Sequence, residues 1–133
     1  MILHTDITGQ GKPLVLIHGL FGSLENLGVI ARTMATQFQI INIDLPNHGR
    51  SPWTEQFDYP SMAKAIAETL TELKITSAYV LGHSMGGKTA MQLAFDYPQL
   101  VEKLILADIS PVPSQARHLK ILDGLNAVEQ QKI

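Results

Sequence analysis

Cysteine is absent from this 133-residue chain, which excludes a disulfide framework and a thiol nucleophile. Charge is sparse: charged residues make up 17%, the net charge is −2, and no basic or acidic block occurs. Nucleic acid and anionic membrane surfaces are therefore not expected partners. No apolar run approaches the roughly 20 residues of a membrane-spanning helix. The segment Met1-Ile2-Leu3-His4-Thr5-Asp6 lacks the basic region and long apolar stretch of a secretory leader, so the expected location is the cytoplasm. The histidines lack the i, i+4 pairing and carboxylate company of a metal site, and no metal or cofactor is expected. Internal repeats and low-complexity linkers are also missing.

What is present is an apolar interior. Hydrophobic residues account for 45% of the chain, enough for one domain with a core. Residues 2–8 alternate loosely up to the turn signal Gly9-Gln10-Gly11 and read as an antiparallel edge strand. Four short unbroken apolar runs follow, at 14–17, 40–44, 78–81 and 104–107. Such runs suit strands buried on both faces of a parallel sheet. Between them, 24–37, 61–73 and 88–97 carry apolar residues at helical spacing, and the second is expected to start on a cap after Pro60. Strand–helix alternation predicts right-handed crossovers and a doubly wound, mostly parallel α/β sheet. Ile109-Ser110-Pro111-Val112-Pro113 interrupts the pattern. Residues 114–133 then read as helical, with Leu119, Leu122, Leu125 and Val128 as the apolar positions. The expected division is a core over 1–113 and the start of a helical cap over 114–133.

The chemistry concentrates in Gly82-His83-Ser84-Met85-Gly86-Gly87, which contains G-x-S-x-G. An apolar strand precedes it and a helical stretch follows, the context of a nucleophile elbow. Ser84 must then sit on a sharp, strained turn with its hydroxyl clear of the sheet. Gly82 and Gly86, without a Cβ, let strand and helix approach. The N–H of Met85, at the helix N-terminus, can meet a developing oxyanion. The bland alternative is a glycine-rich turn between a buried strand and a buried helix.

Function in open α/β sheets collects at the carboxyl ends of the strands. Here those ends are His18-Gly19-Leu20-Phe21-Gly22, Asp44 through Asn47-His48-Gly49 to Ser51, the elbow, and Asp108. These segments together resemble the α/β-hydrolase superfamily. Leu24-Glu25-Asn26-Leu27-Gly28-Val29 after the first motif, Lys88 after the elbow, and Asp108-Ile109-Ser110-Pro111-Val112 narrow the resemblance to the small bacterial esterases of the YbfF type, over its N-terminal half. The resemblance implies Ser84 as nucleophile, forming an acyl-enzyme. It implies oxyanion donation by the N–H of Met85 and by that of Leu20, with Phe21 as the alternative donor. Leu20, Phe21 and Met85 suggest an apolar acyl side, with Phe21 a substrate-binding residue. His18 is expected to hold its loop in shape, His83 to pack, and Asn47-His48-Gly49 to form a shaped turn rather than a catalytic element. Asp108, 24 residues after Ser84, is the implied acid that orients a histidine base. A carboxylate capping the turn after the strand is the alternative.

The base itself is not evident. In this fold the order is Ser, acid, His, and His118 is the only histidine after Asp108. It falls in the expected cap segment, whereas the resemblance places the base in a loop after a later strand. Three explanations stand: a truncated chain, a C-terminal half supplied by a separate polypeptide, or a relic that binds without turnover. The expected function is a serine hydrolase of carboxylic esters or acyl thioesters, inactive as this chain alone. A non-catalytic binding module, or another chemistry of the same scaffold (C–C hydrolase, lyase, perhydrolase), is the alternative.

Overall fold

The computed structural model describes residues 1–108 and 118–123, with side chains described through Ala107. Ten elements follow one another: β1 (Thr5–Thr8), β2 (Lys12–Ile17), a 3-10 turn (Leu24–Leu27), α1 (Gly28–Met34), β3 (Phe38–Ile43), α2 (Tyr59–Glu72), β4 (Ala78–His83), α3 (Met85–Asp96), β5 (Val101–Asp108) and β6 (His118–Asp123). The strands form one sheet in the order β1-β3-β2-β4-β5-β6. The four central strands are parallel, and β1 and β6 are antiparallel on the two edges.

The unbroken apolar runs become the parallel strands because both of their faces are covered. Val15, Ile17, Ile41, Ile43, Val80 and Leu104 point to the side of α2 and α3, against Ile66, Leu70 and Leu93. Leu14, Leu16, Ile40 and Leu81 point the other way, against Leu27, Ile30, Ala31 and Met34. Alternation along a strand sends neighbours to opposite faces, so a run without polar residues is what a two-sided core requires. Leu14, Leu16, Ile17, Ile40, Ile41 and Ile43 are all fully buried, each stabilising the fold by about 1.5–3 kcal/mol before entropy is counted.

Three local expectations are corrected. Helix α2 starts two residues earlier than read, with Asp58 as its cap: the Ser61 N–H donates to Asp58 Oδ1 at 2.8 Å. Pro60 occupies the first turn, where its missing N–H costs nothing. The single helix expected over 24–37 is a 3-10 turn followed by the short α1. Side chains from the β3 side capture the backbone of Leu24: its N–H donates to Asp44 Oδ1 (2.7 Å) and its carbonyl accepts from Asn42 Nδ2 (2.8 Å). The carbonyl that an α-ladder would offer to Gly28 is thus engaged, and the Gly28 N–H goes to Glu25 instead.

The third correction concerns residues 118–123, read as helical and found as the strand β6. Leu119 and Leu122 have helical spacing, but His118-Leu119-Lys120-Ile121 also alternates. The open edge of β5 offers a full row of backbone partners, and β6 pairs with it from Lys103↔Asp123 to Asp108↔His118. Tertiary pairing overrides the local periodicity, as it does for an otherwise bare sheet edge. The 109–113 turn, the boundary at 113 and the remainder of the expected cap helix lie outside the described residues.

Candidate active site

The carboxyl ends of β2, β4 and β5 are level with one another. Ile17 is the register partner of Gly82, and His83 that of Ala107. The residues immediately beyond are His18, Ser84 and Asp108, so the topology alone gathers the first motif, the elbow and the expected acid on one edge. Asp108 is the last residue of β5.

Ser84 links β4 to α3 with φ 58° and ψ −120°, a conformation costing a non-glycine residue about 1–3 kcal/mol. Close packing holds it there. A Cβ on Gly82 would fall on the Gly86 carbonyl, and one on Gly86 would fall on the carbonyls of Ile17 and His18. Strand β4, helix α3 and the end of β2 therefore touch backbone to backbone, and the turn between them cannot relax. Ser84 is exposed, and its side chain makes no capping hydrogen bond to α3. Among the described residues nothing engages the hydroxyl, which lies at the positive end of a helix dipole.

The loop after β2 lies directly beside it. A Cβ on Gly19 would stand 3.2 Å from the Ser84 Cβ, so the missing side chain lets the loop approach the hydroxyl. The loop closes as a turn, with the Gly22 N–H donating to the Gly19 carbonyl at 3.1 Å. Among the described residues, the N–H groups of Leu20 and Met85 have no acceptor. The Phe21 N–H is occupied: it donates to His48 Nε2 at 3.0 Å.

Two buried histidines and one carboxylate hold this loop. His18, fully buried, donates from Nδ1 to the Gly19 carbonyl (2.7 Å) and accepts the Leu45 N–H on Nε2 (3.0 Å). An imidazole that accepts an N–H is neutral. Burial pushes the His18 pKa below its ordinary value, against the opposing Gly19 hydrogen bond. His48 donates from Nδ1 to the Pro46 carbonyl at 2.9 Å, so both of its nitrogens are engaged and neither is free to act as a base. Asp44, 2% exposed, accepts the N–H groups of Leu24 (2.7 Å) and Arg50 (3.0 Å). It ties the far end of the β2 loop to the turn after β3.

Sequence places Asp44 at a strand end and His48 in a shaped turn, but it does not reveal their partners, which lie 20 and 27 residues away. His83 is half-buried beside Gly19, in keeping with the packing role expected for it. A cavity of about 380 Å³ opens next to the loop, lined by Leu20, Phe21, His48, Trp53 and Phe57. Phe21 is 91% exposed over it and Trp53 82%. Among the described residues no group of three metal-binding side chains occurs, and no helix is long and apolar enough to cross a membrane.

A mostly parallel sheet sandwiched by helices, with a strained serine between strand and helix, defines the α/β-hydrolase class of fold. The family model for the alpha/beta hydrolase fold matches residues 12–125. The chain belongs to that family. It is 44% identical over 122 residues to Esterase YbfF of Escherichia coli, covering 91% of this chain and 48% of that protein. It is 47% identical over 106 residues to the sn-1-specific diacylglycerol lipase ABHD11 of Xenopus laevis, covering 78% of this chain and 34% of that protein. The solved structure of a marine microorganism esterase superposes with a TM-score of 0.79 at 41% identity, covering 87% of this chain and 45% of its own. The chain thus spans less than half the length of each of these proteins.

Proposed function

We propose that this chain carries the nucleophile, the oxyanion hole and the acid of a serine hydrolase acting on carboxylic esters or acyl thioesters. The observation that carries the proposal is Ser84: exposed, uncapped and strained, with N–H groups that no described residue claims at Leu20, in the adjacent loop, and at Met85, next in the chain. In the reaction, Ser84 Oγ bonds to the acyl carbon while its proton passes to a histidine base. The carbonyl oxygen becomes an oxyanion between the two N–H donors. The alcohol or thiol then leaves with that proton, and water releases the acid by the reverse sequence. Asp108 orients the base and stabilises its charged form. The names of the relatives, an esterase and a diacylglycerol lipase, support ester bonds as the substrate class. The cavity beside Leu20 and Phe21 supports an apolar acyl group.

In this reading the base comes from outside the described segments. His18 and His48 have both nitrogens bonded. His4 precedes β1, three strands from β4 in the sheet order. His83 ends β4 immediately before Ser84 and packs half-buried against the Gly19 loop. His118 enters the sheet opposite Asp108, with β5 between it and β4. A triad needs the histidine between serine and acid, and that row puts the acid in the middle.

The test is a fluorophosphonate probe read by intact mass and peptide mapping. Ser84 becomes labelled when the chain is supplemented with the C-terminal half of a related esterase, slowly or not at all without it, and never in Ser84→Ala. Absence of labelling with the supplement present, in a chain that has bound it, would favour the binding module over the hydrolase.

A further inference from the structure

We propose that His48 is a positioning residue: it fixes the peptide orientation of the Gly19–Leu20–Phe21–Gly22 turn and thereby assigns the second oxyanion donor to Leu20 rather than Phe21. The inference rests on the preceding reading of this loop as an oxyanion hole.

The turn has a left-handed residue, Phe21 at φ 61°, in its third position, and its ends are joined by the Gly22–Gly19 hydrogen bond. That is the signature of a type II turn, which favours glycine there. Phenylalanine in this conformation is strained, by about 1–2 kcal/mol. The ordinary relief is rotation of the central Leu20–Phe21 peptide to give a type I turn, with which most residues are compatible. The Phe21 side chain does not oppose that rotation through packing, being 91% exposed.

What opposes it is the Phe21 N–H bond to His48 Nε2. In the rotated turn a carbonyl would face the imidazole instead, and the hydrogen bond would be lost. His48 cannot adapt by switching tautomer, because the Pro46 carbonyl can only accept and so keeps the proton on Nδ1. The ring is immobilised as well. It is 9% exposed, with ring centroids 5.1 Å from His18 and 5.9 Å from Phe57. Its own turn is clamped by Asn47, whose side chain bonds both the N–H and the carbonyl of Thr54. The segment after β3 thus presents one fixed lone pair to the β2 loop. The loop is held in its strained form, the Phe21 N–H is consumed, and Leu20 supplies the remaining donor beside Ser84.

The bond itself is read by NMR on the ¹⁵N-labelled chain as a scalar coupling across N–H···N between Phe21 and His48 Nε2. Its consequence is read as the saturable rate of fluorophosphonate labelling of Ser84 in the supplemented protein. In His48→Leu the coupling vanishes and the limiting rate falls about five- to tenfold with little change in probe affinity, the effect of one lost hydrogen bond felt mainly in the transition state. His48→Gln, which offers an acceptor oxygen at a similar reach, retains most of the rate. In a Phe21→Gly background, where the turn carries no strain, adding His48→Leu changes the limiting rate by less than about twofold relative to Phe21→Gly alone. Absence of the coupling in the parent chain would overturn the proposal. So would an unchanged rate in His48→Leu, or a loss that Gln does not recover and that is equally large in the Phe21→Gly background. If the coupling is present but Ser84 never reacts in any variant, the hydrolase reading fails while the lock on the turn stands.

Discussion

Asp44→Ala should be strongly destabilising although it touches neither the apolar core nor Ser84. The carboxylate is 2% exposed and accepts two backbone N–H groups, from Leu24 at 2.7 Å and Arg50 at 3.0 Å. Hydrogen bonds to a charged acceptor contribute about 1.5–3 kcal/mol each. Both donors are only partly buried, so water recovers some of the loss and the lower figure applies, giving about 3 kcal/mol for the pair. With a urea dependence of about 1.5 kcal/mol per molar, the unfolding midpoint falls by about 2 M. Asp44→Asn is no remedy, because its amide NH₂ must face one of two donors. Gly49 is coupled to the same site: at φ 50° its absent Cβ would fall on the Asp44 carboxylate. Gly49→Ala therefore costs less when Asp44 is already Ala, and the double-mutant cycle is non-additive. Urea unfolding followed by far-UV circular dichroism measures all four proteins. A midpoint shift below about 0.5 M for Asp44→Ala, or strict additivity with Gly49→Ala, would refute the role assigned to the carboxylate.

Two other predictions concern strain and protonation. Ser84→Gly removes a backbone conformation that glycine tolerates and serine does not, so it should raise stability by about 1 kcal/mol while abolishing reactivity. Ser84→Ala keeps a Cβ and should gain nothing; equal midpoints for the two variants would contradict the strained elbow. His18 has its pKa lowered on folding from the ordinary 6.5 by burial. Below that pH the unfolded chain takes up a proton that the folded chain resists. Stability therefore falls as pH drops through 6.5, by at most about 1.4 kcal/mol per pH unit. His18→Gln should flatten that slope between pH 6.5 and the folded-state pKa, and an unaltered slope would contradict the buried neutral imidazole.

Much of this architecture was legible in the sequence because the sheet is covered on both faces. Unbroken runs such as Leu14-Val15-Leu16-Ile17 have few alternatives to a central parallel strand, and the positions of β2 to β5 followed from them. The errors fall where partners distant in sequence decide. The helix expected over 24–37 is cut short by Asn42 and Asp44 reaching back from the β3 side. The strand β6 exists because β5 offers an edge, which no local periodicity encodes. At the site, G-x-S-x-G located Ser84, since strain there follows from glycines on both sides. Asp44 was legible as a residue past a strand end and His48 as part of a shaped turn, without their partners. Their function depends on which backbone N–H each carboxylate or imidazole meets, and that is settled by the register of β2 against β3.

The oxyanion hole is tested most directly by a structure of the protein, supplemented with the C-terminal half of a related esterase, carrying a phosphonyl group on Ser84. The phosphonyl oxygen should lie about 2.7–3.1 Å from the N–H groups of both Leu20 and Met85, with the Phe21 N–H still on His48. An oxygen held by Phe21, or turned to solvent with Leu20 and Met85 unoccupied, would contradict it.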